Sequence, residues 1–198
     1  MLYYIGRFIF FVLFKSLFGF KFYGKENIPK YGGFIIASNH ASNLDPEIIG
    51  SAIPRVLSFM AKEELFHNKV FGWVLWKVHA FPVKRGGADL FSIKEAIKRL
   101  KNGFGILLFP QGGRRDSISA DEVKGGVGFL ASKADVPVIP AFIFGSGDAL
   151  PKGRKIPNFF KPISVYFAPG IIYKGSRDYA EFSQTIMSAI DALSRKAK

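Results

Sequence analysis

Short apolar runs alternate along this chain with segments of helical period, and that alternation restricts its fold more than any other feature. Residues 33–38, 56–61, 105–109, 136–144 and 163–167 are too short for typical helices and mostly continuous in apolar character, as strands covered on both faces are. Residues 81–83 are extended as well, and Pro82, which has no N–H to give a neighbour, points to a sheet edge or a strand start. Between these runs, residues 46–53 read as a helix with Asp45 as its N-cap and Pro46 in the favoured first position. Helices are also expected over 70–78, 90–100 and 127–134. In the second of these Ile93, Ile97 and Leu100 share a face, and Asn102 with Gly103 stops the helix. Asp178 and Glu181 form a capping-box pattern for a closing helix that carries Phe182, Ile186, Ile190 and Leu193. Strands alternating with helices over 198 residues predict one α/β domain, a central mostly parallel or mixed sheet flanked by helices.

The first 24 residues stand apart from that alternation. Arg7, Lys15 and Lys21 punctuate an aromatic and aliphatic sequence, and no acidic residue appears before Glu26. The longest uninterrupted apolar run, residues 8–14, falls far short of the ~20 residues that span a bilayer. A signal peptide needs a small-residue cleavage site, and bulky Phe18 and Phe20 occupy that region. Two solutions remain. A helix lying in a membrane interface would put Phe and Leu among acyl chains and the cations among headgroups, whereas a buried helix would have to let its cations snorkel outward. So many aromatics would overfill a small core, so residues 1–24 are expected to be an interfacial membrane segment and residues 25–198 the folded domain.

Charge narrows the partners without choosing among them. Lys and Arg number 28 against 15 Asp and Glu, a net +13, which calls for nucleic acid, an anionic membrane or a phosphorylated small molecule. The absence of cysteine excludes disulfides, thiolate metal sites and a covalent acyl-cysteine.

Three segments place polar or reactive residues directly after apolar strands, where open α/β sheets bind ligands. In residues 39–45, His40 and Asp45 are separated by four residues, so the carboxylate can accept one ring N–H and leave the other ring nitrogen as a base. By spacing alone, a loop histidine beside an aspartate N-cap fits equally well. In residues 109–115, Gln111, Gly112 and Gly113 precede Arg114 and Arg115; glycines admit backbone amides close to a ligand, and guanidiniums grip phosphate in a bidentate manner. Taken alone, this is also an ordinary glycine-rich turn on a basic surface. Lys84 and Arg85 form a third, less specific cationic pair at a strand end.

Order and spacing together carry more than any one segment. The blocks at 39–46, 81–85, 109–114 and 136–140 resemble, in sequence and order, the four blocks of the 1-acyl-sn-glycerol-3-phosphate acyltransferase family. Those blocks are a histidine, four residues and an aspartate; an arginine after a short strand; Phe-Pro-Glu-Gly-Thr-Arg; and Val-Pro-Ile-Val-Pro. Asn27-Ile28-Pro29 and Lys124-Gly125-Gly126 extend the resemblance across roughly residues 25–145. Two positions depart from the pattern. Gln111 stands where the family usually has Glu, in its acceptor-site motif, and Gly113 where it usually has Thr.

The resemblance implies a membrane-surface enzyme that passes a fatty acyl group from acyl-CoA or acyl carrier protein to lysophosphatidate, at the cytoplasmic face of the cell membrane. His40 is then the general base and Asp45 its orienting partner, while Arg85, Arg114 and Arg115 hold the acceptor phosphate and amides near Gly112 and Gly113 stabilise an oxyanion. Lys94 could join the phosphate site, though a solvated helix face suits it better. Ser42 sits two residues beyond His40 without a nucleophile-elbow pattern, so it is expected to order the loop and not to act as a nucleophile. No metal or cofactor is required. Other acceptors, such as glycerol 3-phosphate or another lysolipid, and thioester hydrolysis are the alternatives. Nucleic-acid binding is disfavoured by the lack of an aromatic-and-basic recognition signature.

Overall fold

The strand β2 (Phe34–Ser38) is buried at every position and lies in the middle of a seven-stranded sheet. In the computed structural model, which describes residues 1–84, 89–114, 125–175 and 178–197, the strands beside it are β5 (Gly105–Leu108) and β6 (Val138–Phe144). Beyond β5 lie β3 (Leu57–Lys62) and the edge strand β4 (Ala80–Val83); beyond β6 lie β7 (Ser164–Phe167) and β1 (Lys21–Tyr23). From β6 to β4 all neighbours are parallel, β7 runs antiparallel to β6, and β1 is parallel to β7. The sheet is therefore mixed around a parallel centre. Pro82 lies in edge strand β4, where a missing ladder donor costs least.

Both faces are covered, which is why the central strands read as unbroken apolar runs. Successive side chains point to opposite faces, so Ile35 and Ile36 enter different cores. Ile36 joins Ile48 and Ile49 of α2 (Asp45–Ala52) with Phe14 and Phe18 of α1 (Leu2–Phe18). Ile35 joins Ala96 and Leu100 of α4 (Leu90–Lys101), Leu130 of α5 (Gly126–Ala134) and Phe182, Ile186 and Ile190 of α7 (Tyr179–Lys196). Asp178 caps α7 by accepting from the Ala180 amide, as its pattern predicts. The nine-residue α3 (Lys69–Lys77) connects β3 to β4, and the short α6 (Ser146–Ala149), which the sequence pattern does not announce, follows β6.

The N-terminal segment is less uniform than its composition suggests. Helix α1 stops at Phe18, Gly19 takes a left-handed φ of 57°, Phe20 is buried, and residues 21–23 pair with β7 as the outer strand of the sheet. The aromatic stretch thus continues into the sheet itself, in a strand too short to show an alternation. One face of α1 packs into the core, while Leu2, Ile5, Phe8, Ile9, Val12 and Leu13 stay exposed on the other. Most of the exposed side chains of the helix are thus apolar, with Lys15 an exposed cation in its last turn. Among the described residues, no helix is long and apolar enough to cross a membrane.

Candidate active site

The carboxyl end of β2 carries the first half of the site. Asn39 continues the strand with its side chain: its Nδ2 donates to the Ile143 carbonyl at 3.0 Å, and its Oδ1 accepts from the Ile143 amide at 2.7 Å. With the chain pinned to β6 in this way, the next residue, His40, turns its Nδ1 onto Asp45 Oδ2 at 2.8 Å. The same oxygen accepts the amides of Ala41 and Ser42, both at 2.8 Å, so one carboxylate atom folds the whole loop around itself. The Asp45 side chain is fully buried and that of His40 is 14% exposed. Asp45 is accordingly not the helix cap expected from its place before Pro46. It is the first residue of α2, Leu44 is the N-cap without a side-chain bond, and the carboxylate faces back into the loop because three N–H groups there need an acceptor. Ser42 donates to the Leu150 carbonyl at 2.9 Å and accepts from the Leu44 amide, which makes it a loop-ordering residue.

The second half comes from β5, the neighbour of β2. Ala37 pairs with Leu108, and this register sets Phe109 beside His40 with their rings stacked, centroids 3.9 Å apart and planes 13° apart. The chain then turns: the Gly112 amide donates to the Phe109 carbonyl at 2.9 Å, and Gly112 has φ 67°, which a residue without Cβ adopts at little cost. That bond occupies the Gly112 amide. Gln111 and Arg114 are both half-buried on this loop. The sheet thus brings the segments at 39–45 and 109–114 together, each directly after its apolar strand. Arg85 and Arg115 lie outside the described residues. Lys94 is exposed on α4, and Lys84, at the end of β4, pairs loosely with Glu63 at 3.9 Å.

Comparison with known proteins decides the lineage. The acyltransferase family profile matches residues 19–144, and both halves of the site fall within it. The 1-acyl-sn-glycerol-3-phosphate acyltransferase of Bacillus subtilis is 41% identical over 143 residues, 70% of this chain and 70% of that protein. The chain belongs to the 1-acyl-sn-glycerol-3-phosphate acyltransferase family. A Streptococcus pneumoniae enzyme of the same name is 29% identical over 176 residues, covering 86% of this chain and 65% of that protein. The crystal structure of the 1-acyl-sn-glycerophosphate acyltransferase PlsC from Thermotoga maritima superposes with a TM-score of 0.76 at 26% identity, over 100% of this chain and 78% of that one.

For an acyltransferase of this family, the structure adds two groups that sequence reasoning passed over. Phe109 had been only the first letter of a block, yet its ring forms the wall on which the imidazole lies. Glu47, two residues past Asp45, has its Oε2 buried without a hydrogen-bond partner among the described residues. Burial, aided by the nearby Asp45 charge and opposed by a bond to its own backbone, pushes its carboxyl up to about 7. Proximity to Asp45 in α2 was the available signal for Glu47; for Phe109 there was none beyond the strand pairing itself.

Proposed function

We propose that this acyltransferase moves a fatty acyl group from a thioester, carried on coenzyme A or acyl carrier protein, to the sn-2 hydroxyl of lysophosphatidate, giving phosphatidate. The observation that carries this reading is the His40–Asp45 pair: Nδ1 is bound to a buried carboxylate, and Nε2 is left for the acceptor hydroxyl. His40 takes the hydroxyl proton as the oxygen attacks the thioester carbonyl, and the Gly113 amide meets the oxyanion that forms. As the tetrahedral intermediate collapses, the C–S bond breaks and the imidazolium returns its proton to the departing sulfur. Asp45 offsets the transient charge on the imidazole. Its Oδ1 is buried without a partner among the described residues, so the carboxylate is incompletely compensated by donors there and a neighbouring positive charge relieves it. No acyl-enzyme is needed, because a thiolate leaves readily. Arg114, with Arg85 and Arg115, receives the acceptor phosphate.

The substrates are lipids, and α1 is the element that brings the enzyme to them. Its outward row of Leu2, Ile5, Phe8, Ile9, Val12 and Leu13 enters the acyl region of a membrane interface, and the net charge of +13 favours an anionic surface. The deciding assay incubates the protein with an acyl thioester and lysophosphatidate. Phosphatidate formation that disappears in His40→Ala supports the reading; release of free fatty acid alone would make the protein a thioester hydrolase.

A further inference from the structure

Helix α3 has the sequence KVFGWVLWK, and of its nine residues only Gly72 is buried. Its apolar side chains are therefore not spent on the protein's own core. Trp73 is 56% exposed, Trp76 49% and Val70 75%. These two residues are the only tryptophans in the chain. Gly72 is the contact side: a Cβ there would come within 2.8 Å of the Phe66 carbonyl, so the helix rests by its glycine on the turn before it. Trp76 lies edge-on against the Phe66 ring at 5.3 Å with half of its surface exposed, and Trp73 is exposed beside it. Lys69 and Lys77 share the exposed surface, and the Lys77 ammonium sits 5.7 Å from the Trp73 ring centroid.

An indole with a cation beside it is the side-chain pair that settles at the level of lipid headgroups, where the ring is half in hydrocarbon and the charge meets phosphate. The position of α3 matches. His79, which follows the helix, packs edge-on against Tyr3 of α1 at 5.6 Å, so the indole-bearing helix ends where the N-terminus of α1 begins. Met1, Leu2, Tyr4 and Ile5 are exposed near that junction.

We propose that α3 is a second membrane-contact element, docking on an anionic phospholipid surface through Trp73, Trp76 and Val70 with Lys69 and Lys77 among the headgroups. It rests on the reading of α1 as a membrane element and adds to it a second point of contact, which fixes how the domain is rotated on the surface. One point would let the enzyme swivel; two hold the site at a defined tilt.

Because α3 holds both tryptophans, tryptophan fluorescence, excited on the red edge where tyrosine does not absorb, reports on this helix alone. The full chain is titrated with phosphatidylcholine–phosphatidylglycerol vesicles, binding is followed separately by co-sedimentation, and the emission is recorded with and without bromine on the lipid acyl chains. The expected result is a blue shift together with quenching by the brominated lipids. Replacing both indoles in Trp73→Ala/Trp76→Ala should weaken vesicle binding by about tenfold or more. Trp76 gives up its edge contact with Phe66, so Trp73→Ala alone, which spares that contact, should weaken binding in the same direction with a melting temperature near that of the wild type. Co-sedimentation with no shift and no quenching would overturn the proposal while leaving α1 as the anchor. Absence of co-sedimentation would overturn both readings. A shift produced by soluble acyl carrier protein and not by vesicles would make α3 a donor-docking face and equally end the proposal.

Discussion

The imidazole of His40 lies nearly flat on the phenyl ring of Phe109, centroids 3.9 Å apart and planes inclined by 13°. With Nδ1 held by Asp45 on its edge and a ring on its face, His40 is restrained against both swinging and tipping. Under the proposed mechanism, this makes Phe109 a positioning residue. Phe109→Leu keeps the site apolar but removes the flat wall, and should lower kcat by about tenfold or more with little change in KM, since small misplacements of a reacting group are costly. Phe109→Tyr, which keeps the ring, should retain most of the rate. Wild-type kcat in the leucine variant would show that the stack is incidental.

Most of the fold was legible because the central strands are buried on both faces, so 33–38, 105–109 and 136–144 could hardly be anything else. The His40–Asp45 pair was legible through its spacing only in combination with the order of the other blocks. What was hidden depended on contacts between distant segments. The Phe109 stack arises from the β2–β5 register, and Asp45 was misread as a cap because the donors that claim it lie in the loop before it and not in the helix after it. Residues 21–23 were absorbed into the aromatic N-terminal run because three residues show no period. The inward and outward faces of α1 could not be told apart either, since both are apolar.

Asp45 binds three N–H groups through one oxygen, so its charge and its geometry can be separated. In Asp45→Asn the amide oxygen can still accept from Ala41 and Ser42, and the loop should keep its shape. The neutral amide cannot balance an imidazolium, and kcat should fall by about a thousandfold or more. His40→Ala should lose at least about a hundredfold. Thermal melting beside the kinetics checks that both variants remain folded; near-wild-type turnover in folded His40→Ala protein would end the general-base assignment.

The burial of the Glu47 carboxyl predicts a pH dependence of stability. Its folded carboxyl is raised to about 7, chiefly by burial, against 4.5 for the ordinary group, so the native state holds a proton that the unfolded chain has released between those values. The native form binding more protons means that stability falls as pH rises through this window. The group's contribution is fully present below about pH 4.5 and is lost once the folded carboxyl ionises near 7. Glu47→Gln removes the ionisation. Denaturant unfolding at pH 5 and pH 8 should find the variant gaining on the wild type by up to about 3 kcal/mol as pH rises. Parallel pH profiles for the two proteins would contradict the buried-carboxyl account.

The membrane role of α1 has to be tested on its outer face alone, because Phe14 and Phe18 on its inner face belong to the core and deleting the helix would unseat them. Replacing Ile5, Phe8, Ile9 and Val12 together by Ser alters only exposed or partly exposed side chains. Binding to anionic vesicles should weaken by about a hundredfold or more, with the melting temperature nearly unchanged. Salt should reduce wild-type binding without abolishing it, since the Debye length shortens but the apolar term persists. Equal vesicle binding by variant and wild type would place the anchor elsewhere.

Gln111 is where this chain leaves its family pattern, on the loop that begins at the Phe109 stack. The amide keeps a carbonyl acceptor for a glycerol hydroxyl and adds an N–H donor that a phosphate oxygen can use. It also lacks the negative charge that would repel a phosphate dianion and compete for Arg114, three residues further on. The neighbouring Gly113 departs from the pattern as well, which suits a loop retuned as a unit better than one inactivated at a point. The expectation is that the protein is active with Gln111 in place and that this residue adjusts which headgroup is accepted. Gln111→Glu should therefore change the ratios of kcat/KM among lysophosphatidate, glycerol 3-phosphate and uncharged or zwitterionic lysolipids more than it changes the best of them. Both proteins are assayed across that panel with one thioester donor. If the Gln111 protein is inactive and the glutamate variant gains about a hundredfold or more on a single acceptor, the size of effect expected for an essential catalytic group, then glutamate is required for turnover and the selectivity role is lost.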